Sequence, residues 1–187
     1  MAPRVSPPHT LVIGGARSGK SRHAEALALG TGLERVYLAT ATAWDDEMRE
    51  RIALHREARA ADGWRTVEEP LGLAEALSRE AAPGRVVLVD CLTLWLTNVM
   101  LGAPPEAARA AVEAACAGLA AELPRLAGPA VFVSNEVGWG IVPDNRLARD
   151  FRDAQGRLNQ RMAEACGRVV LVAAGLPLVL KGGVTPP

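Results

Sequence analysis

The chain has 187 residues, 49% of them hydrophobic, which suffices to bury one sizeable core and suits a single domain. Lysine plus arginine and aspartate plus glutamate each number 21, so no bulk charge draws the chain to nucleic acid or to an acidic membrane surface, and a small discrete ligand is expected. The longest apolar stretch, Val86 to Leu101, is broken by Asp90 and Asn98 and is too short for a membrane span, so no stable insertion is expected.

Met1 to Pro8 holds three prolines and no apolar run of the signal-peptide kind, so residues 1–9 read as a flexible extension. His9 to Ile13 is a short buried strand. It runs into Gly14-Gly15-Ala16-Arg17-Ser18-Gly19-Lys20-Ser21, which fits the phosphate-loop pattern G-x-x-x-x-G-K-[ST] without a gap. The glycines let the backbone curl until several N–H groups point at phosphate oxygens. Lys20 adds a mobile positive charge over the β and γ phosphates, and the Ser21 hydroxyl is placed to ligate Mg²⁺. Ser21 to Leu29 reads as a helix whose N-terminus favours anions.

Gly30 and Gly32 end that helix, and Arg35 to Ala39 gives a second strand ending in Thr40-Ala41-Thr42. Asp45 to Ala61 is expected to be a polar helix with Met48, Ile52 and His55 at helical spacing and Arg49, Arg56, Glu57 and Arg59 around them. Trp64 to Glu68 is a short extended piece, and Pro70 opens a helix over Leu71 to Ala82. Val86 to Asp90 is a continuous β-branched run with an acid at its end, the Walker B pattern of a buried parallel strand that delivers a carboxylate to the sheet's C-terminal edge.

Leu92 to Met100 and the alanine-rich Pro105 to Leu126 read as helices, and Ala130 to Ser134 as a strand followed by the polar loop Asn135-Glu136-Val137-Gly138-Trp139-Gly140. Asp144 caps a helix with the stripe Leu147, Phe151, Ala154, Leu158 and Met162. Arg168 to Val172 is a further strand, and Leu178 to Leu180 a last, antiparallel edge strand. Cys91, Cys116 and Cys166 are far apart, form no C-x-x-C, and fall in segments expected to be buried, as core thiols in a reducing cytoplasm do. The alternation predicts an α/β fold with a mainly parallel sheet flanked by helices. Residues 10–182 form one nucleotide-binding domain in this reading and 183–187 a tail.

Ligands of such a sheet gather outside the carboxyl ends of the strands. Asp90 is thereby expected to hold Mg²⁺, directly or through water, while Lys20 offsets phosphate charge. From the residues alone His55 reads either as a core or interface side chain or as a nucleophile, while Arg56 and Arg59 read as exposed helix charges and Glu68 as a surface carboxylate. The residues by themselves stop at a Mg²⁺-dependent nucleotide enzyme and supply no substrate; a simple P-loop small-molecule kinase and a nucleotide-dependent switch or binding module both fit.

The run Gly14 to Ala26, Asp45-Asp46-Glu47-Met48 leading to Arg51-Ile52 and His55, Trp64-Arg65-Thr66, Asn135-Glu136-Val137-Gly138 and Gly140-Ile141-Val142-Pro143 resembles the bifunctional adenosylcobinamide kinase/adenosylcobinamide-phosphate guanylyltransferase family. Asn145 to Ala148, Phe151-Arg152-Asp153 and Asn159-Gln160-Arg161 extend the resemblance nearly to the C-terminus. It implies a P-loop NTPase of RecA-like fold that phosphorylates adenosylcobinamide from ATP or GTP. It further implies transfer of GMP from GTP, through a guanylylated histidine, to adenosylcobinamide phosphate. The histidine carried over is His55; some relatives have a histidine pair where this chain has Leu54-His55. With Lys20 it makes the implied catalytic set. The implied nucleotide contacts are Gly14, Gly15, Ala16, Arg17, Ser18, Gly19, Lys20, Ser21, Thr40, Ala41, Thr42, Arg56, Glu57, Ala58, Arg59, Glu68 and Asp90, with Ser21 and Asp90 also on Mg²⁺. Asp90 stands where some relatives have Glu. Glu136 is left as a residue that orients the substrate hydroxyl or braces its loop. A homotrimer is implied as well.

Overall fold

The computed structural model describes residues 9–42 and 62–183. The helix expected over residues 45–61, with His55, Arg56, Glu57, Ala58 and Arg59, and the neighbouring Trp44, lie outside the described residues. Among the described residues seven strands form one sheet: β1 (Thr10–Gly14), β2 (Glu34–Ala39), β3 (Trp64–Glu68), β4 (Arg85–Asp90), β5 (Ala130–Asn135), β6 (Arg168–Ala173) and β7 (Leu176–Lys181), in the order β3-β2-β4-β5-β1-β6-β7. Every pairing is parallel except β6 with β7. The five described α-helices are α1 (Lys20–Leu29), α2 (Leu73–Glu80), α3 (Leu92–Gly102), α4 (Ala108–Glu122) and α5 (Arg146–Ala165).

The alternation of side chains along each strand builds a core on either face. Val36, Leu38, Val87, Val89, Phe132 and Val169 point to the face covered by α2 to α5, where Leu77, Leu96, Trp95, Leu119 and Leu158 meet them. Val12, Tyr37, Leu88, Val133, Val170 and Val172 point to the other, where Ala24 and Ala28 of α1 pack close because they carry no bulk beyond a methyl. Asp90, two residues after Leu88, therefore projects on the α1 face, the face of the phosphate loop. Cys91, Cys116 and Cys166 are buried free thiols, and burial pushes the last two up to about 11 and about 12 respectively.

Several element ends differ from expectation for local reasons. Helix α2 begins at Leu73 rather than Leu71, because Glu69 Oε1 accepts the N–H groups of Leu71 (3.2 Å) and Gly72 (2.8 Å) and holds a turn after Pro70. The alanine-rich helix spans Ala108–Glu122 and tightens into a 3-10 turn over Leu123–Arg125, since Pro124 has no N–H for an α-helical bond. The cap of α5 is Asn145 and not Asp144: Asn145 Oδ1 accepts Ala148 N–H at 2.8 Å. Leu147, in the first turn, is 54% exposed, so the buried stripe of α5 runs instead through Ala154, Leu158 and Met162. Strand β7 is longer than expected and joins β6 through Ala174 and Gly175, whose φ values of 51° and 79° are those of the two-residue turn that suits hairpin twist.

His9 closes the base of the sheet. Its Nδ1 accepts Ala130 N–H at 3.2 Å and its Nε2–H donates to Leu123 O at 2.9 Å, an arrangement open only to the neutral ring. Burial accordingly pushes its pKa below the ordinary 6.5, against a smaller upward pull from the Leu123 carbonyl. Above pH 6.5 the ring is neutral folded or unfolded, whereas below it the unfolded chain takes up the proton first and stability falls as pH drops. His23 is shifted the same way by burial and by the charge of Arg168, so a His9 variant isolates the His9 share. Melting temperatures between pH 8 and pH 5 should fall more steeply for wild type than for His9→Asn; parallel profiles would mean that His9 does not carry the effect.

Candidate nucleotide site at the phosphate loop

The loop between β1 and α1 has the form its sequence requires, with different demands on its glycines. A Cβ on Gly14 would lie 2.5 Å from Val172 O and 2.6 Å from Ser18 Oγ, so β6 approaches too closely for any side chain. Gly19 has φ 94°, in the left-handed region, and a Cβ there would meet Gly175 Cα at 3.2 Å. Gly19 is also the N-cap of α1, with no side-chain cap and no acid in the first turn, which leaves the helix's first N–H groups to an incoming anion. Ser18 Oγ is buried and has no hydrogen-bond partner among the described residues.

Lys20 is buried at 9% exposure and its Nζ donates to Gly15 O at 3.1 Å, so the ammonium lies back over the loop. Arg17, Ser18, Gly19, Lys20, Ser21, Arg22, Ala174 and Gly175 line a cavity of ≈ 530 Å³ whose three charged side chains are all cations. Ala174 and Gly175 were not anticipated there. The turn of the β6–β7 hairpin closes the wall, and Gly175 N–H donates to Ser18 O at 2.8 Å. The signal in the sequence is the Ala-Gly pair between two apolar runs, which marks a tight hairpin but not what its tip touches.

The other expected segments stand along the same sheet edge. Gly14 pairs in register with Asn135, and Glu136 N–H donates to Gly14 O at 3.0 Å, so the loop after β5 starts beside the phosphate loop. A buried polar cluster ties it down: Ser134 Oγ donates to Asn159 Oδ1 (2.6 Å), Asn159 Nδ2 to Asn135 O (3.1 Å), and Asn135 N to Thr93 Oγ1 (2.9 Å). Glu136 accepts Gly138 N–H at 3.2 Å. Ala39 pairs with Asp90 and Glu68, bringing Thr40 to Thr42 and Glu68 to that edge too, with Glu68 exposed. Thr40 is wholly buried: its Oγ1 donates to Cys91 O at 2.7 Å and accepts Cys91 N–H at 2.9 Å, locking the end of β2 to the peptide that follows Asp90.

Asp90 is half-buried, and its Oδ2 accepts the Tyr37 hydroxyl at 2.8 Å; its Oδ1 has no partner among the described residues. No cluster of three or more His, Cys, Asp or Glu side chains is present among the described residues. Ser21 lines the phosphate-loop cavity whereas Asp90 stands outside that lining, on the same face of the sheet; a serine hydroxyl and one carboxylate oxygen would suit Mg²⁺, which takes waters and phosphate oxygens as well and does not need a protein cage. Of the four tryptophans, Trp64 and Trp95 are core residues and Trp139 is 77% exposed.

A family profile described as cobinamide kinase/cobinamide phosphate guanyltransferase matches residues 10–180. The chain belongs to that family. It is 53% identical over 174 residues to the bifunctional adenosylcobalamin biosynthesis protein CobP of Pseudomonas aeruginosa, covering 92% of this chain and 96% of that one. It is 44% identical over 180 residues to the bifunctional adenosylcobalamin biosynthesis protein CobU of Escherichia coli, covering 91% and 98%. Among solved structures, the RadB recombinase aligns with a TM-score of 0.50 at 15% identity, covering 89% of this chain and 74% of that one. A protein from Pyrococcus horikoshii aligns at 0.54 and 10% identity, covering 93% and 86%. These two likenesses concern the fold alone, a RecA-like P-loop sheet, with the antiparallel β7 at its edge. No described helix is long and apolar enough to cross a membrane.

Proposed function

We propose that the protein phosphorylates the aminopropanol hydroxyl of adenosylcobinamide from ATP or GTP, and then transfers GMP from GTP to the resulting phosphate to give adenosylcobinamide-GDP and pyrophosphate. The observation that carries the proposal is the phosphate loop with Lys20 folded over it, in a chain whose family match runs through 170 or so residues around it, from 10 to 180. Lys20 and the free N–H groups at the start of α1 would bind and orient the triphosphate, and Ser21 and Asp90 would hold Mg²⁺. The metal, when bound, screens the phosphate charge that builds up during transfer.

In the second step the His55 imidazole attacks the α-phosphorus of GTP. The bond to the bridging oxygen breaks, pyrophosphate leaves, and an oxygen of adenosylcobinamide phosphate then displaces the histidine by attack on the same phosphorus. Arg56 and Arg59, with Glu57 and Ala58 between them, would lie along the phosphates, and their charge would keep the ring neutral. Thr40, Ala41 and Thr42 would border the nucleotide. Glu68 can accept both N–H groups of the guanine N1/N2 edge, which adenine does not present, and so would select GTP for this step.

Assembly as a homotrimer is part of the proposal, supported by the edge strand β7, on which Leu176, Leu178 and Leu180 are each more than half exposed. A cytoplasmic location fits the buried free cysteines. Incubation with adenosylcobinamide, Mg²⁺ and GTP labelled at the α-phosphate tests the whole: label should appear in adenosylcobinamide-GDP together with stoichiometric pyrophosphate. Phosphorylation without transfer of label would reduce the protein to a kinase.

A further inference from the structure

Tyr37 is the chain's sole tyrosine, 5% exposed, and lies on the same sheet face as Asp90. Neighbouring parallel strands pair Tyr37 with Leu88 and Ala39 with Asp90, so the phenol reaches diagonally toward the C-terminal edge and meets the carboxylate there at 2.8 Å. The ring itself is fixed. Trp64 of β3 packs edge-to-face on it, with centroids 5.9 Å apart and planes at 85°. The backbone beyond Asp90 is fixed independently by the pair of Thr40 hydrogen bonds to Cys91. Thus backbone and side chain of Asp90 are each held by a different residue of the β2 end.

We propose that Tyr37 is a positioning residue: its hydroxyl holds Asp90 Oδ2 so that Oδ1 alone is presented to the divalent cation that accompanies the nucleotide. The inference rests on the reading of Asp90 as the metal's carboxylate. A lysine or arginine in place of Tyr37 would orient the carboxylate as well but cancel the charge the cation needs. A neutral phenol orients without neutralising. Occupying Oδ2 also keeps the carboxylate from binding through both oxygens, and so suits the tight octahedral geometry of Mg²⁺.

Tyr37→Phe keeps the ring and its contact with Trp64 and removes only the hydroxyl. With Mn²⁺ as the probe and GTP present, electron paramagnetic resonance should show the half-saturating metal concentration raised roughly tenfold, the lower end of what losing such a partner costs a metal site. GTP affinity in EDTA should be unchanged, and Tyr37→Phe should add little in an Asp90→Asn background. An unchanged or lower midpoint, an equal loss of metal-free GTP affinity, or full additivity with Asp90→Asn would overturn the proposal. If Asp90→Asn itself leaves the metal titration unchanged, the metal assignment fails along with it; a shift in Asp90→Asn with none in Tyr37→Phe removes the tyrosine's role alone. A readout without any substitution in the fold comes from 3-fluorotyrosine, which labels one position in this chain. Its fluorine resonance should move when Mg²⁺ replaces EDTA on the GTP complex and should not move in Asp90→Asn. No movement in wild type, or the same movement in both, would again overturn the proposal.

Discussion

Lys20→Ala is expected to lower both adenosylcobinamide phosphorylation and guanylyl transfer by about two to three orders of magnitude, the scale on which a preorganised donor to transition-state charge acts. The fold should survive. Lys20 makes one hydrogen bond to a loop carbonyl, and the loop's shape is set by Gly14 against Val172 and Gly19 against Gly175, not by the ammonium. Among the described residues the other cations lining the cavity, Arg17 and Arg22, are exposed, so they cannot supply the same charge from under the phosphates. Thermal melting together with initial rates of both reactions checks the expectation: a near-normal melting temperature with rates within a few fold of wild type would remove the nucleotide from this loop.

His55→Ala is expected to abolish GMP transfer while leaving phosphorylation at least partly intact, because the phosphate loop, Lys20 and Asp90 remain. In wild type, GTP labelled at the α-phosphate should leave a protein adduct. Phosphorus on an imidazole nitrogen is lost in acid, since protonation makes the ring a good leaving group, and it survives alkali. The label should therefore be acid-labile and alkali-stable and should pass to added adenosylcobinamide phosphate. The only other histidines are His9, whose two nitrogens are bonded to Ala130 and Leu123, and His23 on α1. Retained labelling in His55→Ala would move the nucleophile elsewhere and refute the two-step route as drawn.

The sequence by itself determined the elements that have a local cause. β1 and β4 are continuous β-branched runs that only a doubly covered strand can bury, and their ends carry the phosphate loop and Asp90. The glycine spacing, the helix that follows it, and the antiparallel last strand after Pro177 were legible for the same reason, since each depends on a few neighbouring residues. The role of His55 rests on family resemblance alone, because a single histidine at helical spacing carries no chemistry that distinguishes it from a core residue. Helix ends were read less well: Asn145 rather than Asp144 caps α5 because both side chains can cap, and the turn geometry selects between them.

What only the tertiary structure decided are the contacts made across strands. The strand order sets β1 between β5 and β6, which brings the Ala174-Gly175 turn onto Ser18 and the Asn135-Glu136 loop onto Gly14, segments more than a hundred residues away in the chain. The register of β2 on β4 turned Tyr37, an ordinary strand aromatic in the sequence, into the partner of Asp90, and Thr40 into a clamp on Cys91. Periodicity tells which face a side chain takes but not which strand lies beside it. That choice is made by the packing of the whole sheet, where a shift of one residue would move every side chain of a strand to the opposite face.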